Sequence, residues 1–132
     1  MELVDTNVIS ELMRARPNRG VLAWSARSQR FAFSVVSLEE VTFGLALRPS
    51  ARLERQLTAL FDTFAHVLPI TDAIARRSAE LRAAQARRGH LRSQADMLIA
   101  ATAYEHGTLL VTRNVRDFTG CGIRVHNPFA DG

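Results

Sequence analysis

Ala95-Asp96-Met97-Leu98-Ile99-Ala100-Ala101-Thr102-Ala103-Tyr104, closed by His106-Gly107 and followed by Thr108-Leu109-Leu110-Val111-Thr112, sets the class of this chain. The first ten residues are apolar nearly all round, as a buried helix requires and a half-solvated one does not. Gly107 is a helix stop. The run 108–112 is short, continuous and apolar at its centre, and reads as a buried strand. A buried helix feeding a buried strand belongs to an alternating α/β chain. The one charge inside the helix, Asp96, would be costly to bury without a partner.

The segments on either side repeat this alternation. Leu3-Val4 is a short apolar entry ended by Asp5. Residues 6 to 14 read as a helix with Thr6 and Asn7 as cap candidates, broken near Pro17. A second helix carries Val21, Leu22 and Trp24 to about Ser28. Phe31-Ala32-Phe33-Ser34-Val35-Val36 is aromatic and β-branched, hence a strand, and Ser37 begins a helix with Leu38, Val41 and Leu45 at helical spacing. Residues 51 to 65 are amphipathic through Leu53, Leu57, Leu60, Phe61 and Phe64. Val67-Leu68-Pro69-Ile70 contains a proline, which assigns it to a sheet edge. Thr71 caps a long helix to about Arg88, stopped by Gly89, and Ile123-Arg124-Val125-His126 is a last edge strand. With no internal repeat or linker, residues 1–132 form one domain.

In an open α/β sheet, ligands bind outside the carboxyl ends of the strands, and the helix N-termini share that edge. Asp5 and Asp117 follow strands; Glu40 and Asp96 fall in the first turn of helices. The four carboxylates are therefore predicted to converge. Such a cluster repels itself unless a cation sits in it, and Mg²⁺ or Mn²⁺ suits oxygen ligands without histidine or cysteine. Thr6, Asn7, Thr112 and Asn114 place neutral polar groups around the same edge, as supporting residues would. Three of the acids also have a plain structural explanation. Ser37-Leu38-Glu39-Glu40 and Ser93-Gln94-Ala95-Asp96 both have capping-box form, and Asp5 could be a turn residue. Joint placement favours the metal site. His66, His90, His106 and His126 are scattered without ligand spacing.

The chain carries 17 basic residues against 13 acidic ones, for a net charge of +4, and every basic residue is arginine. P-loop NTPases, receiver domains and haloacid-dehalogenase-type phosphatases all rely on a lysine, so these three Asp-rich or phosphate-binding α/β classes are excluded. A lone cysteine, Cys121, excludes a disulfide framework and a thiolate zinc cluster. No apolar run approaches a membrane span, and a cytoplasmic protein is expected. An acidic site on a basic chain suits a polyanionic substrate held by arginine. Arg92, Arg113 and Arg116 flank the acids and are the candidate phosphate contacts. Arg76, Arg77 and Arg82 read as a solvated helix face.

These residues resemble a PIN-domain ribonuclease, and more closely the VapC-like toxins of bacterial toxin–antitoxin pairs, a group that includes a FitB-like subgroup. The resemblance rests on Asp5-Thr6-Asn7-Val8-Ile9-Ser10-Glu11, Glu40-Val41-Thr42-Phe43-Gly44, Asp96 to Ala103, Thr112-Arg113-Asn114-Val115-Arg116-Asp117-Phe118 and Asn127-Pro128-Phe129. Each motif is weak singly; the ordered set is specific. It implies a three-layer α/β/α sandwich around a mostly parallel sheet of about five strands. Asp5, Glu40 and Asp96 are implied as metal-binding catalytic acids. Some relatives carry the fourth acid where Asn114 stands and others use the acid before the phenylalanine; here the fourth position falls to Asp117, with Asn114 adjacent to the site. The resemblance also implies Mg²⁺ or Mn²⁺, an RNA substrate, a homodimer, and a small DNA-binding antitoxin whose C-terminal segment blocks the site. A non-catalytic PIN-like binding module and a metal-dependent DNA nuclease or phosphatase are the competing classes.

Overall fold

A computed structural model describes residues 1–28 and 30–131, without the side chains of Phe64 and Ala65. The chain runs β1 (Glu2–Val4), α1 (Thr6–Leu12), α2 (Arg19–Arg27), β2 (Phe31–Ser34), α3 (Val35–Leu47), α4 (Ala51–Phe64) and β3 (Ala65–Leu68). It continues with α5 (Asp72–Arg87), α6 (Gln94–His106), β4 (Leu109–Val111), a 3-10 turn (Val115–Phe118), β5 (Val125–His126) and a closing 3-10 turn (Pro128–Asp131). The five strands form one sheet in the order β3-β2-β1-β4-β5, parallel at every pairing.

Alternation along the strands makes the three layers. Leu3, Ala32 and Leu110 point to one face, where Met97, Ile99, Ala100 and Ala103 of α6 and Phe118 cover them. Val4, Phe31, Phe33 and Val111 point to the other, against Val8 and Ile9 of α1, Val21 and Trp24 of α2, and Leu57 of α4. Aromatic pairs tighten this second layer: Trp24 stacks on Phe31 at 4.8 Å and Phe33 meets Phe61 edge-on at 5.0 Å. The almost wholly apolar α6 is buried along Met97, Ile99 and Ala100–Ala103, and Gly107 ends it at φ 63°.

The chain builds β1, β2 and β3 to one side and then crosses to place β4 and β5 on the other. The switch point lies between β1 and β4, where ligands are expected in such sheets. Both proline-marked and C-terminal strands are edges, as predicted, although β3 covers 65–68 and stops before Pro69.

Three local expectations are corrected. The strand predicted over 31–36 ends at Ser34, whose hydroxyl accepts from the Val36 N–H and caps α3. Burying Phe31 to Ser34 completes the sheet contact, and a serine at the cap then outweighs the β-propensity of Val35 and Val36. Ser37 is thus buried inside α3 and no cap. Asp5, not Thr6 or Asn7, caps α1, and that helix ends at Leu12.

Candidate metal centre at the carboxyl edge of the sheet

Val4 pairs with Val111 in register, so the next residues on each strand, Asp5 and Thr112, emerge side by side. The Asp5 N–H donates to Val111 O at 2.9 Å, and the Thr112 hydroxyl donates to Asp5 Oδ2 at 2.7 Å. Asp5 Oδ1 accepts from the Thr6 N–H at 2.8 Å, and the Asn7 amide donates to Oδ2 at 3.2 Å. The Asn7 carbonyl oxygen in turn accepts from the Arg113 N–H at 3.1 Å, and Thr112 Oγ1 from the Asn114 N–H at 3.1 Å. Two adjacent strand ends are therefore stitched by Thr6, Asn7 and Thr112 around one nearly buried carboxylate. Asn114 contributes through its backbone, and its side chain makes no cap hydrogen bond.

Glu40 lies in the second turn of α3, where it is solvent-exposed. With α3 starting at Val35, the capping-box explanation of this residue falls away. Thr6 Oγ1 lies 2.7 Å from Glu40 Oε1 and 3.0 Å from Ser37 Oγ. Because a carboxylate only accepts, the single threonine proton goes to Glu40, and the buried Ser37 hydroxyl donates to Thr6. Ser37 was missed as a supporting residue because in sequence it imitates a helix cap; its i, i+3 spacing to Glu40 was the available signal.

Asp96 sits in the first turn of α6, whose cap Ser93 accepts from the Asp96 N–H at 3.0 Å. Half of the predicted capping box is thus present, and it leaves the Asp96 carboxylate half-buried at the sheet edge. Asp117 lies on the 3-10 turn beyond β4. Its Oδ1 is 3.4 Å from Arg92 Nη1.

Burial pushes the Asp5 carboxyl above its ordinary value, against hydrogen bonds from Thr112 and Thr6 that favour the charged form; the charges of Asp96 and Glu40 add to the rise. Burial likewise raises Asp96, with Asp117 and Glu40 repelling it and Ser93 and Arg92 opposing the rise. The four predicted acids therefore feel one another across the edge. Among the described residues, no three or more His, Cys, Asp or Glu side chains are gathered tightly enough to enclose an ion. A hard cation that keeps most of its water needs only one or two direct carboxylates, and an all-oxygen set with desolvated, mutually repelling acids fits it.

The three candidate arginines part company. Arg113 and Arg116 are exposed, and the Arg113 guanidinium lies 4.9 Å over the Phe129 ring. The Arg92 side chain is turned inward and only 16% exposed. On the distant α5 face, Arg76 pairs with Asp72 in full exposure, and Arg77 covers Tyr104 and reaches Glu105. A groove of about 430 Å³ leads from Thr6 and Glu40 along Ile9, Met13 and Leu45 toward Arg52.

Residues 3–119 match the family model described as PIN domain. The chain belongs to the PIN-domain family. Among PIN relatives it is 37% identical to "VapC ribonuclease Y4jK" of Sinorhizobium fredii, over 98% of each chain. It superposes on the crystal structure of FitAcB from Neisseria gonorrhoeae with a TM-score of 0.85 and 31% identity, covering 98% of this chain and 99% of that one. A toxin–antitoxin complex from Klebsiella pneumoniae gives 0.76 and 31% over 97% and 98%. The predicted PIN-like α/β/α architecture is the observed one.

Proposed function

We propose that this PIN-domain protein is a divalent-metal-dependent endoribonuclease and the toxin of a toxin–antitoxin pair, acting in the cytoplasm. The observation that carries the reading is the stitched, desolvated Asp5 at the switch point of the sheet, repelled by Asp96 and Glu40, with Asp117 in turn repelling Asp96. The VapC ribonuclease and toxin–antitoxin relatives support RNA as substrate and an antitoxin as partner, which we take to be small and DNA-binding. Mg²⁺ or Mn²⁺ would be held by Asp5, Glu40, Asp96 and Asp117.

A divalent cation bound there supplies charge to a phosphoryl oxygen and lowers the pKa of the attacking water. The chain's own residues do the rest. Thr112, Asn7 and Thr6 fix both oxygens of Asp5, and Thr6, held by Ser37, orients Glu40. Arg113 and Arg116 stand exposed beside the acids, where a phosphate chain can reach them. No covalent protein intermediate is involved. The homodimer draws support from α3, an apolar helix that leaves Phe43 61% and Leu47 66% exposed.

Matched RNA and DNA oligonucleotides incubated with Mg²⁺ or Mn²⁺, with and without chelator, test the reading. RNA cleavage that chelator abolishes is expected. Undiminished cleavage by metal-stripped protein would overturn the metal, cleavage of DNA alone would overturn the substrate, and RNA binding without cleavage would leave a binding module.

A further inference from the structure

The acid edge already contains a cation. Arg92 comes from the loop between α5 and α6, one residue before the cap Ser93 and four before Asp96. Its side chain is 16% exposed while that of its partner Asp117 is 40% exposed, so the arginine is the more enclosed member of the pair. An arginine enclosed to this degree is normally locked by tight, often bidentate, hydrogen bonds of about 2.7–2.9 Å. Arg92 is not. Nη1 reaches Asp117 Oδ1 at 3.4 Å, Nη2 reaches Arg116 O at 3.3 Å, and Nε is buried without a partner. Its charge also acts on Asp96, the next acid along.

We propose that Arg92 is a built-in counter-ion of the acid edge: it holds Asp117 in the metal-free protein and competes with the divalent cation for the carboxylates. This rests on the reading of those acids as the metal site. The loose contacts and the unmet Nε donor make the hold displaceable. A phosphate-binding arginine would stand on the rim as Arg113 and Arg116 do, and a purely structural ion pair would leave metal affinity unchanged.

The test is Mn²⁺ binding to the whole chain, read by calorimetry and by the metal-induced shift of the unfolding temperature. Arg92→Gln, and Arg92→Met as a second charge-free variant that keeps the stem, should bind Mn²⁺ about tenfold tighter than wild type, because one nearby positive charge is gone. Their metal-free forms should unfold at lower temperature at pH 7, with a larger gain on adding metal. Arg92→Lys keeps the charge and should stay near wild type. Unchanged or weaker binding in the charge-free variants, or equal tightening in Arg92→Lys, overturns the proposal. Asp96→Asn separates the two levels of inference. If it binds Mn²⁺ like wild type, the metal-site reading fails and takes this one with it; if it binds weakly while Arg92→Gln matches wild type, only the role of Arg92 fails.

Discussion

Asp5 serves two purposes that a single substitution separates. As the cap of α1 it needs a side-chain oxygen, which asparagine also provides; as an anion at a crowded acid edge it needs the charge, which asparagine lacks. Burial raises its pKa above 3.8, so the folded state holds the proton longer than the unfolded one. The resulting cost is absent below 3.8, grows as pH rises through the folded-state value, and is complete above it. Relative to wild type, metal-free Asp5→Asn should therefore gain stability as pH rises from 3.8 to neutrality, on top of a pH-independent loss where its amide group replaces the Oδ2 that accepts from Thr112 and Asn7, measured by denaturant unfolding with chelator present. Cleavage should fall by about 10² or more, since the carboxylate that holds the cation is gone. A variant that stays fully active, or whose stability relative to wild type does not rise with pH above 3.8, removes Asp5 from the cluster. Thr6→Val tests the next link. It keeps the shape and deletes the hydroxyl that orients Glu40 and accepts from the buried Ser37, so kcat should drop about tenfold and stability should fall by about 1 kcal/mol or more.

Elements built from long or uniformly patterned runs were legible in sequence, and those set by short polar signals were not. The all-apolar α6 with its glycine stop, the buried β4 and the Thr71-capped α5 all stand where periodicity put them. The start of α3 does not, because Ser34 and Ser37 are equally good caps and only the depth of Phe31 to Ser34 in the sheet chooses between them. Asp5, Asp96 and Asp117 stand after a strand or in a first helical turn as the sequence reading placed them, whereas Glu40 lies a turn deeper in α3 than that reading had it. What joins the acids was not legible: the Thr6–Ser37 contact spans 31 residues and the Thr112–Asp5 bond 107, and no local pattern announces either. The α3 register yields a paired prediction. Ser34→Ala should cost about 1 kcal/mol of stability as the loss of an N-cap. Glu40→Gln should spare the helix, reduce cleavage, and reduce the thermal stabilisation given by Mg²⁺, because binding to the native state is weakened. Identical metal-induced shifts in Glu40→Gln and wild type would take Glu40 out of the site.

Across the molecule, 17 arginines give a net +4, while four of the 13 acids, Asp5, Glu40, Asp96 and Asp117, stand at one sheet edge. Within the described residues, no helix is long and apolar enough to cross a membrane, so a membrane-spanning helix does not account for the basic excess. A polyanion approaching this surface is drawn by the arginines and meets the acids only where a divalent cation offsets them. That arrangement predicts different salt behaviour for arginines that are close in sequence. Arg113 and Arg116 are exposed, and each, if it touches phosphate, should lower the slope of log affinity against log salt by roughly 0.7 when changed to glutamine, as expected for a single strand. Arg92 is inside the edge and paired with Asp117, so Arg92→Gln should leave the slope as it is while altering the metal dependence. RNA binding to a cleavage-deficient Asp96→Asn background, titrated across salt with each arginine change added, measures all three. A slope that falls for Arg92→Gln as much as for Arg113→Gln would place Arg92 on the substrate, and a slope unmoved by Arg113→Gln and Arg116→Gln together would return those two to the solvated surface.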